Sequence, residues 1–460
     1  MESHKKRKSS KGQDMISNLP DFIIGRILSF LPTKYAVRTS VLSKNWTYKW
    51  TFITNLNFRD RVGYSSKIVR KIVFLSFVYR VLLHLNSSSI QSFSLDLFGK
   101  YESLHVDQWI SAVVSRRVKK LWIKLYLISN KDQALPSHFL LRYRSLEELV
   151  LKVERCDIKV PTSALFPSLT LLKLSGIQFI GGPSNESGNV QLDFPVLRTY
   201  KTDECTWSSS LKCVTLEAPL LKVVSIENFR RRSASNNSYT VLKFCVSSLA
   251  EFTYKGYLLP ETIVFDLSAA HIASAKIEVD IYEEEISVQE NVALSSKLLK
   301  QFHNVEFLKF GKSEKKGWLA KDSLKDLPSF EMLSHVKLRN VIGETLLALL
   351  FKTPNLKTLI FQVFPQLAKD SLADLPTFKR LSQLNLGKVT GEILLALLPR
   401  TPNLKALIFV ELLQFDQEQL NYDCVPDCFS TTLQVVKYLS FDGFEHELSF
   451  AKFVMENVVA

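Results

Sequence analysis

One phrase of the chain occurs twice, and it restricts the possible folds more than any other feature. AKDSLKDLPSFEMLSHVKLRNVIGETLLALLFKTPNLKTLIF, residues 320–361, returns as AKDSLADLPTFKRLSQLNLGKVTGEILLALLPRTPNLKALIF at 368–409, about two-thirds identical at an offset of about 48. Each copy holds two leucine-x-x-leucine-x-apolar phrases, so that they begin at Leu333, Leu356, Leu381 and Leu404, about 23 to 25 residues apart. This is leucine-rich-repeat spacing. In Leu356, Leu359 and Phe361 the apolar side chains point to the core of a strand while those between them point outward. A segment of the Gly391-to-Leu398 kind supplies a returning helix, and parallel strands stack into a curved sheet.

Weaker versions of the phrase run upstream at Leu146-x-x-Leu149-x-Leu151, Leu169-x-x-Leu172-x-Leu174, Val196 to Tyr200, Leu220 to Ile226, Leu249 to Tyr254 and Val305-x-x-Leu308-x-Phe310. Their uneven spacing predicts an irregular solenoid with loops, notably at Gly181 to Gly188 and Arg230 to Ser238, both of turn-forming composition. At 460 residues and 46% hydrophobic content the chain is too long for one ordinary compact domain, which agrees with a repeat array. No apolar run reaches the roughly 18 to 20 residues that a membrane span needs. The opening MESHKKRKSSKGQ has no apolar stretch of the secretory kind, so a soluble protein without membrane contact is expected, in the cytoplasm, the nucleus or both.

Six scattered cysteines show no disulfide framework. Cys424 and Cys428 form the one close pair, but no second pair or nearby histidine completes a tetrahedral metal set. The net charge of +14 raises nucleic acid as a partner, as do the clusters at Arg116 to Lys120 and Arg230 to Arg232. Part of the charge is local, since residues 1–13 contribute +4 of it as a basic tail that reads as a nuclear-import patch or a solvated segment.

The first folded unit lies in NLPDFIIGRILSFLPTKYAVRTSVLSKNWTYKW, residues 18–50. Pro20 and Asp21 open a helix in which Ile23, Ile24, Ile27, Leu28 and Leu31 form one apolar stripe, ended by Pro32. Thr33 is expected to cap a second helix carrying Ala36, Val37 and Val41, and Ser43 a third with Trp46 and Trp50 one turn apart. Three such helices are too small to enclose a core, so their apolar faces pack on the rest of the chain or on a partner.

These residues resemble an F-box in Leu19-Pro20, in the Ile27-Leu28-Ser29-Phe30-Leu31-Pro32 run, and in Val41-Leu42-Ser43-Lys44 followed by Trp46 and Trp50. The resemblance implies that Leu19, Pro20, Ile23, Ile27, Leu28, Leu31, Pro32, Val37, Ser43, Trp46 and Trp50 line the surface that docks on a Skp-type adaptor and through it on a cullin. Further along, Val106-Asp107-x-Trp109-Ile110, Leu135-Pro136 and Ser145-Leu146-Glu147 are similar to a plant group that joins an F-box to leucine-rich repeats and a C-terminal FBD segment. Val425-Pro426-Asp427-Cys428-Phe429, Val435 to Tyr438, and Phe441-Asp442-Gly443 before Leu448 to Asn457 look like that segment. The chain departs from the group in its near-duplicated unit and in ending at Ala460 without the final strand such segments carry, which leaves the last apolar face of the array in question.

The expected architecture is therefore α/β: a basic tail at 1–13, a three-helix F-box at 14–54, an irregular leucine-rich-repeat solenoid at 55–410, and an apparently truncated FBD-like segment at 411–460. No phosphate-cradling glycine loop, H-E-x-x-H, G-x-S-x-G or clustered His, Cys and acid set is present. His446 between Glu445 and Glu447 reads as a surface helix start, and Glu283 to Glu285 as a solvated run. No cofactor, no metal and no catalysis are expected. The resemblance implies a substrate-recognition subunit of an SCF-type (Skp-cullin-F-box) ubiquitin ligase, acting by proximity on an unnamed protein target. Target contacts are expected on outward strand positions such as Glu148, Lys152, Thr358, Gln362, Asn385 and Lys388. The competing readings are a basic solenoid that binds nucleic acid or another partner outside any ligase, and a decayed member of the group.

Overall fold

The computed structural model describes residues 15–60, 68–98, 101–126, 144–182, 187–228, 240–247, 249–257, 263–266, 276–282, 299–302, 304–312, 327–339, 343–363, 375–413 and 425–458. Helices and strands are mixed throughout, and the chain divides into two units, residues 1–159 with 166–178, and residues 160–165 with 179–460.

The first unit opens with helix α1 (Asp21–Leu28) behind Pro20 and helix α2 (Thr33–Arg38) behind Pro32. The third helix expected after Ser43 is replaced by short 3-10 turns at Lys44–Trp46 and Lys49–Phe52, after an earlier one at Thr39–Val41. Ser43 is extended and its side chain caps nothing. Thr47 and Thr51 send their hydroxyls back to the carbonyls of Lys44 and Tyr48, the local bonding by which such residues compete with a continuing α-helix. Thr33 also departs from its expected cap role. It is the first helical residue, fully buried, and its hydroxyl accepts the Asn57 N–H at 2.7 Å, which ties α2 to the first strand.

That strand, Asn55–Asp60, pairs in parallel with Ser92–Phe98, then Lys120–Tyr126, then Glu148–Val160, with Leu171–Gly181 next in the sheet. Period-2 alternation sorts the side chains: Leu56, Phe93, Leu121 and Leu149 form one inward row in register, and Phe58, Leu95, Ile123 and Leu151 the next. Helices α3 (Ile68–His84) and α4 (Ser103–Val114) form the crossovers that parallel strands require. Phe77 of α3 meets Phe58 with ring centroids 5.7 Å apart, and Trp109 of α4 is fully buried among Phe74, Tyr79 and Tyr101. Gly176 has φ +74, and a Cβ there would lie 1.7 Å from the Val153 carbonyl, so this bend admits glycine alone.

The second unit stacks ten parallel strands in one ladder, from Thr199–Asp203 through Val223–Asn228, Glu251–Tyr257, Lys276–Tyr282, Phe307–Lys312, His335–Arg339, Thr358–Val363, Gln383–Val389 and Ala406–Leu412 to Val435–Tyr438. Between residues 163 and 266 the returning segments are strands, and they form a second parallel sheet of Ser163–Leu165, Asn189–Asp193, Cys213–Glu217, Val241–Cys245 and Ile263–Asp266. Tyr200 against Phe244 and Phe252 against Phe265 fill the space between the sheets. Later in the chain the return is helical, through α5 (Gly343–Phe351) and α6 (Gly391–Leu397).

The duplicated phrase folds into duplicated bonds. Asn355 Nδ2 donates to the Glu331 carbonyl and Asn403 Nδ2 to the Lys379 carbonyl, each at 2.8 Å, and Thr353 and Thr401 are buried with their hydroxyls on Leu350 and Leu398. Helix α7 (Asp427–Thr431), the strand Val435–Tyr438 and helix α8 (Glu445–Asn457) complete the described chain. The loops at 183–186 and 230–238 and the acidic run at 283–285 lie outside the described residues. Among the described residues no helix is long and apolar enough to cross a membrane.

The alternation carries an energetic contrast. Leu384→Ala removes a fully buried side chain from the inward row and is expected to cost about 2–5 kcal/mol, read as a lower urea midpoint. Asn385→Ala, on the opposite face, should change stability by no more than about 0.5 kcal/mol. Equal costs at the two positions would contradict this sorting of faces.

Candidate functional site

Residues 15–53 are drawn together at both ends. The Trp46 indole N–H donates to the Ser17 hydroxyl at 2.7 Å, and Lys49 forms an ion pair with Asp21 at the start of α1. In the middle, Gly25 lets α1 lie against the last 3-10 turn, since a Cβ there would stand 2.5 Å from Phe52. The Ser29 hydroxyl donates to the Gly25 carbonyl at 2.7 Å and accepts the Thr54 N–H at 2.8 Å, which clamps the end of α1 to the entry of the first strand. Ile24, Leu28, Ala36 and Ile53 are buried as a result.

This clamp uses one face and leaves another uncovered. Met15, Ile16, Phe22, Phe30, Tyr35, Val41, Leu42 and Tyr48 are all more than half exposed, Phe30 and Val41 at 83%. So much apolar surface within so short a segment marks an interaction site. Of the residues named from sequence, Ile27 and Leu31 are exposed apolar groups on this segment, Pro20, Pro32 and Ser43 are exposed, and Leu19, Ile23, Val37, Trp46 and Trp50 are half-buried. Leu28 faces inward at 4% exposure and supports the surface from beneath. Both tryptophans use their indole N–H within the chain, Trp50 on the Thr47 carbonyl at 3.0 Å. Phe22, Phe30, Val41 and Leu42 were missed, although three of the four stand inside the motif runs. For Phe22 and Phe30 the signal is an apolar residue off the stripe of Ile23, Ile24, Ile27, Leu28 and Leu31.

Glu148, Lys152, Thr358 and Asn385 are where alternation puts them, whereas Lys388 is exposed because the alternation breaks at the buried Leu386-Gly387 pair. Thr358 and Asn385 are half-buried on the outward face, Asn385 beside Ile360 and Ile408 in register. Lys152 is exposed. Two of the named groups are already paired: Glu148 accepts Lys120 Nζ at 2.7 Å, and Lys388 lies 2.5 Å from Glu411. That pairing with Glu148 holds the Lys120 ammonium above its ordinary range. Gln362 lies in a strand, but its side chain is outside the described residues. Arg116, in one of the basic clusters, turns inward and donates to the carbonyls of Ala112 and Leu82. The cluster at Arg230 to Arg232 is outside the described residues.

At the C-terminal end Glu447 is buried, and the surface helix start expected at Glu445 to Glu447 is corrected there. Its Oε2 accepts the backbone N–H groups of Asp442 at 3.0 Å, Gly443 at 2.7 Å and Phe444 at 2.9 Å, and its Oε1 accepts the Tyr438 hydroxyl. His446 Nε2 bonds the Leu412 carbonyl at 2.9 Å. Burial pushes the Glu447 carboxyl up, but these four donors outweigh it and hold the group below its ordinary value. Burial and the bond to Glu447 in turn hold the Tyr438 hydroxyl far above the usual phenol range. Cys428 is buried, with its thiol pushed up to about 11, and Cys424 lies outside the described residues. Among the described residues no group of three or more His, Cys, Asp or Glu side chains is placed to hold a metal ion.

An exposed apolar N-terminal module ahead of parallel leucine-rich strands defines a protein-interaction class of chain. Comparison with known sequences agrees: the F-box domain matches residues 16–51 and the FBD segment residues 420–458. Among similar proteins of Arabidopsis thaliana, one F-box/FBD/LRR-repeat protein is 33% identical over 261 residues, covering 55% of this chain and 56% of its own length. A second is 29% identical over 280 residues, covering 58% and 59%, and an F-box/LRR-repeat protein is 28% identical over 370 residues, covering 76% of each. The chain is thus similar to plant F-box/FBD/LRR-repeat proteins, with an F-box match at its N-terminal end and an FBD match at its C-terminal end. It spans less than two thirds of the length of the first two relatives.

The Glu447 network makes the FBD segment acid-sensitive. Because the folded carboxyl lies below its ordinary 4.5, the folded form binds fewer protons than the unfolded chain, and the stabilisation is complete above that value. It is lost as pH falls through the lower folded value. Amide exchange over residues 435–457 should therefore quicken below about pH 4.5, ahead of the strands at 335–363. Glu447→Gln should show the fast exchange already at neutral pH; unchanged protection in that variant would rule the network out as the cause.

Proposed function

We propose that this chain is the substrate-recognition subunit of an SCF-type ubiquitin ligase. F-box domains generally bind Skp-type adaptors, and the observation that carries the reading is the uncovered apolar surface on residues 15–48, which the chain itself leaves without a partner face among the described residues. Apolar anchors on short helices are the usual hot spots of such docking. In this reading residues 14–54 hold the adaptor and through it a cullin, the parallel strands of 55–410 form an irregular leucine-rich-repeat solenoid that holds a protein target on its outward strand face, and 411–460 closes the array.

The chain's contribution is geometric. Holding a target near a charged conjugating enzyme carried elsewhere in the complex raises the effective concentration of the target's lysines. No catalytic step is assigned to this chain. A complex of this kind works in the cytoplasm, the nucleus or both.

Co-purification with the adaptor tests this. Phe30→Glu with Val41→Glu places charge on the most exposed apolar positions without touching the buried clamp, and it should weaken adaptor capture by at least about tenfold while leaving the thermal midpoint unchanged. Leu19→Ala with Pro20→Ala should weaken it in the same direction. A folded natural chain that captures no adaptor would refute the reading.

A further inference from the structure

Within the first unit the outward face of the strands carries a spot that none of the paired charges explains. Register places Trp122 opposite Val150 and Lys124 opposite Lys152. The Glu147 carbonyl accepts the N–H groups of Thr170 and Leu171, as the Lys119 carbonyl accepts those of Glu147 and Glu148, which carries the same register one strand further and sets Lys173 beside Val150. Neighbouring strands lie about 4.8 Å apart and alternate residues about 6.6 Å apart, so the three lysines frame the Trp122–Val150 pair within about 10 Å. Trp122 is 45% exposed, Val150 is half-buried, and the stacked rings of Phe98 and Tyr126, 4.4 Å apart, extend the apolar floor.

The anions around the spot are committed elsewhere. Glu148 pairs with Lys120, Glu147 with Lys119 at 2.9 Å, and Asp96, in register with Lys124, with Arg59 at 3.0 Å; Glu154 follows Lys152 along the strand and has contacts of its own. Lys124, Lys152 and Lys173 have no hydrogen-bond or ion-pair partner among the described residues. Three cations close together repel one another, and an exposed tryptophan between them pays the hydration penalty of its ring; both are relieved by a ligand that brings carboxylates around an apolar side chain.

We infer that this spot binds an extended acidic peptide segment with one aromatic or large aliphatic residue flanked by Asp or Glu, the apolar side chain lying on Trp122 and Val150 and the carboxylates on Lys124, Lys152 and Lys173. The inference rests on the target-binding reading of the strand face and names the class of segment taken there. A nucleic acid fits less well, since its charge runs on along the backbone while the cationic area here is bounded by the Glu147 and Glu148 row at one end and Glu154 at the other.

The test is fluorescence anisotropy at low salt with the full chain and a short labelled peptide of Asp and Glu around a single Phe. A counterpart of Asn and Gln around the same Phe and an oligouridine of equal length serve as comparisons. The acidic peptide should bind at least about tenfold more tightly than either, a difference of about 1.4 kcal/mol. Lys124→Glu with Lys152→Glu should weaken its binding by at least about tenfold, Trp122→Ala by several-fold, and Lys337→Glu on the strands of the second unit should leave it unchanged. Binding of the neutral peptide as tightly as the acidic one, preference for the oligouridine, no binding of the acidic peptide, or indifference to the Lys124 and Lys152 reversal would each overturn the inference. Adaptor capture is measured on the same preparations, so failure of the peptide with capture intact removes this inference alone, whereas failure of capture strikes the receptor reading.

Discussion

The ladder of backbone bonds between parallel strands is the constraint on which the rest of the structure depends. A carbonyl just before one strand accepts two successive N–H groups of the next: Lys119 holds Glu147 and Glu148, Lys357 holds Ser382 and Gln383, and Lys405 holds Gln434 and Val435. Each link fixes the register of a whole strand, and with period-2 geometry a slip of one residue would turn every leucine to the opposite face. Because the register holds, rows such as Val336, Leu359, Leu384 and Leu407 stay continuous across neighbouring strands, and no single phrase has to bury its own apolar face. The same links decide which side chains are released from core duty, so the outward face is set by backbone bonding before any side chain on it is chosen.

The N-terminal module solves a different problem with less material. Its helices of eight and six residues are below the length at which a helix holds itself in water, and they are kept by tertiary anchors: Gly25 on Phe52, the Ser29 hydroxyl on Thr54, the Thr33 hydroxyl on Asn57. Those anchors take up the inward face. Among the described residues nothing in the module covers the opposite face, and large side chains such as Phe30 and Val41 stand in solvent. The buried clamp and the exposed apolar face thus draw on separate residues. A change at Gly25 or Ser29 acts on the buried clamp, whereas a change at Phe30 alters the exposed face alone.

Legibility in the sequence follows the same division. Strands whose apolar residues repeat at a fixed offset were readable, because a leucine-x-x-leucine-x-apolar phrase can satisfy only one strand face; the buried triplets at Leu146, Leu149 and Leu151 and at Leu169, Leu172 and Leu174 are examples. The segment after Ser43 was not, because a cap residue and tryptophans one turn apart predict a helix, whereas in the fold Thr47 and Thr51 bond back to local carbonyls and Trp46 bonds to Ser17. The returning strands around Cys213–Glu217 and Val241–Cys245 escaped because a short apolar alternation next to another strand carries no mark of which sheet it joins. On the N-terminal module, helical periodicity marks Leu28, which is buried, and passes over Phe30, which is exposed, because periodicity finds the face a helix buries and not the face it leaves.

Glu447 shows the limit of charge patterning most sharply. A glutamate beside His446 and Glu445 reads as solvated, yet it gathers three successive backbone N–H groups that a turn into a helix would otherwise leave without acceptors, together with the Tyr438 hydroxyl. Gly443, at φ +84, supplies the left-handed step that aims those groups at one oxygen. With the turn fixed, α8 lies so that Phe450 meets Phe409 with ring centroids 5.4 Å apart and Phe453 meets Phe429 at 5.7 Å. The inward row that begins with leucines in the repeated phrases is thereby covered by phenylalanines from a helix at the end of the described ladder. A single buried carboxylate orients that cover, and it does so from a position that composition and spacing both assign to the surface.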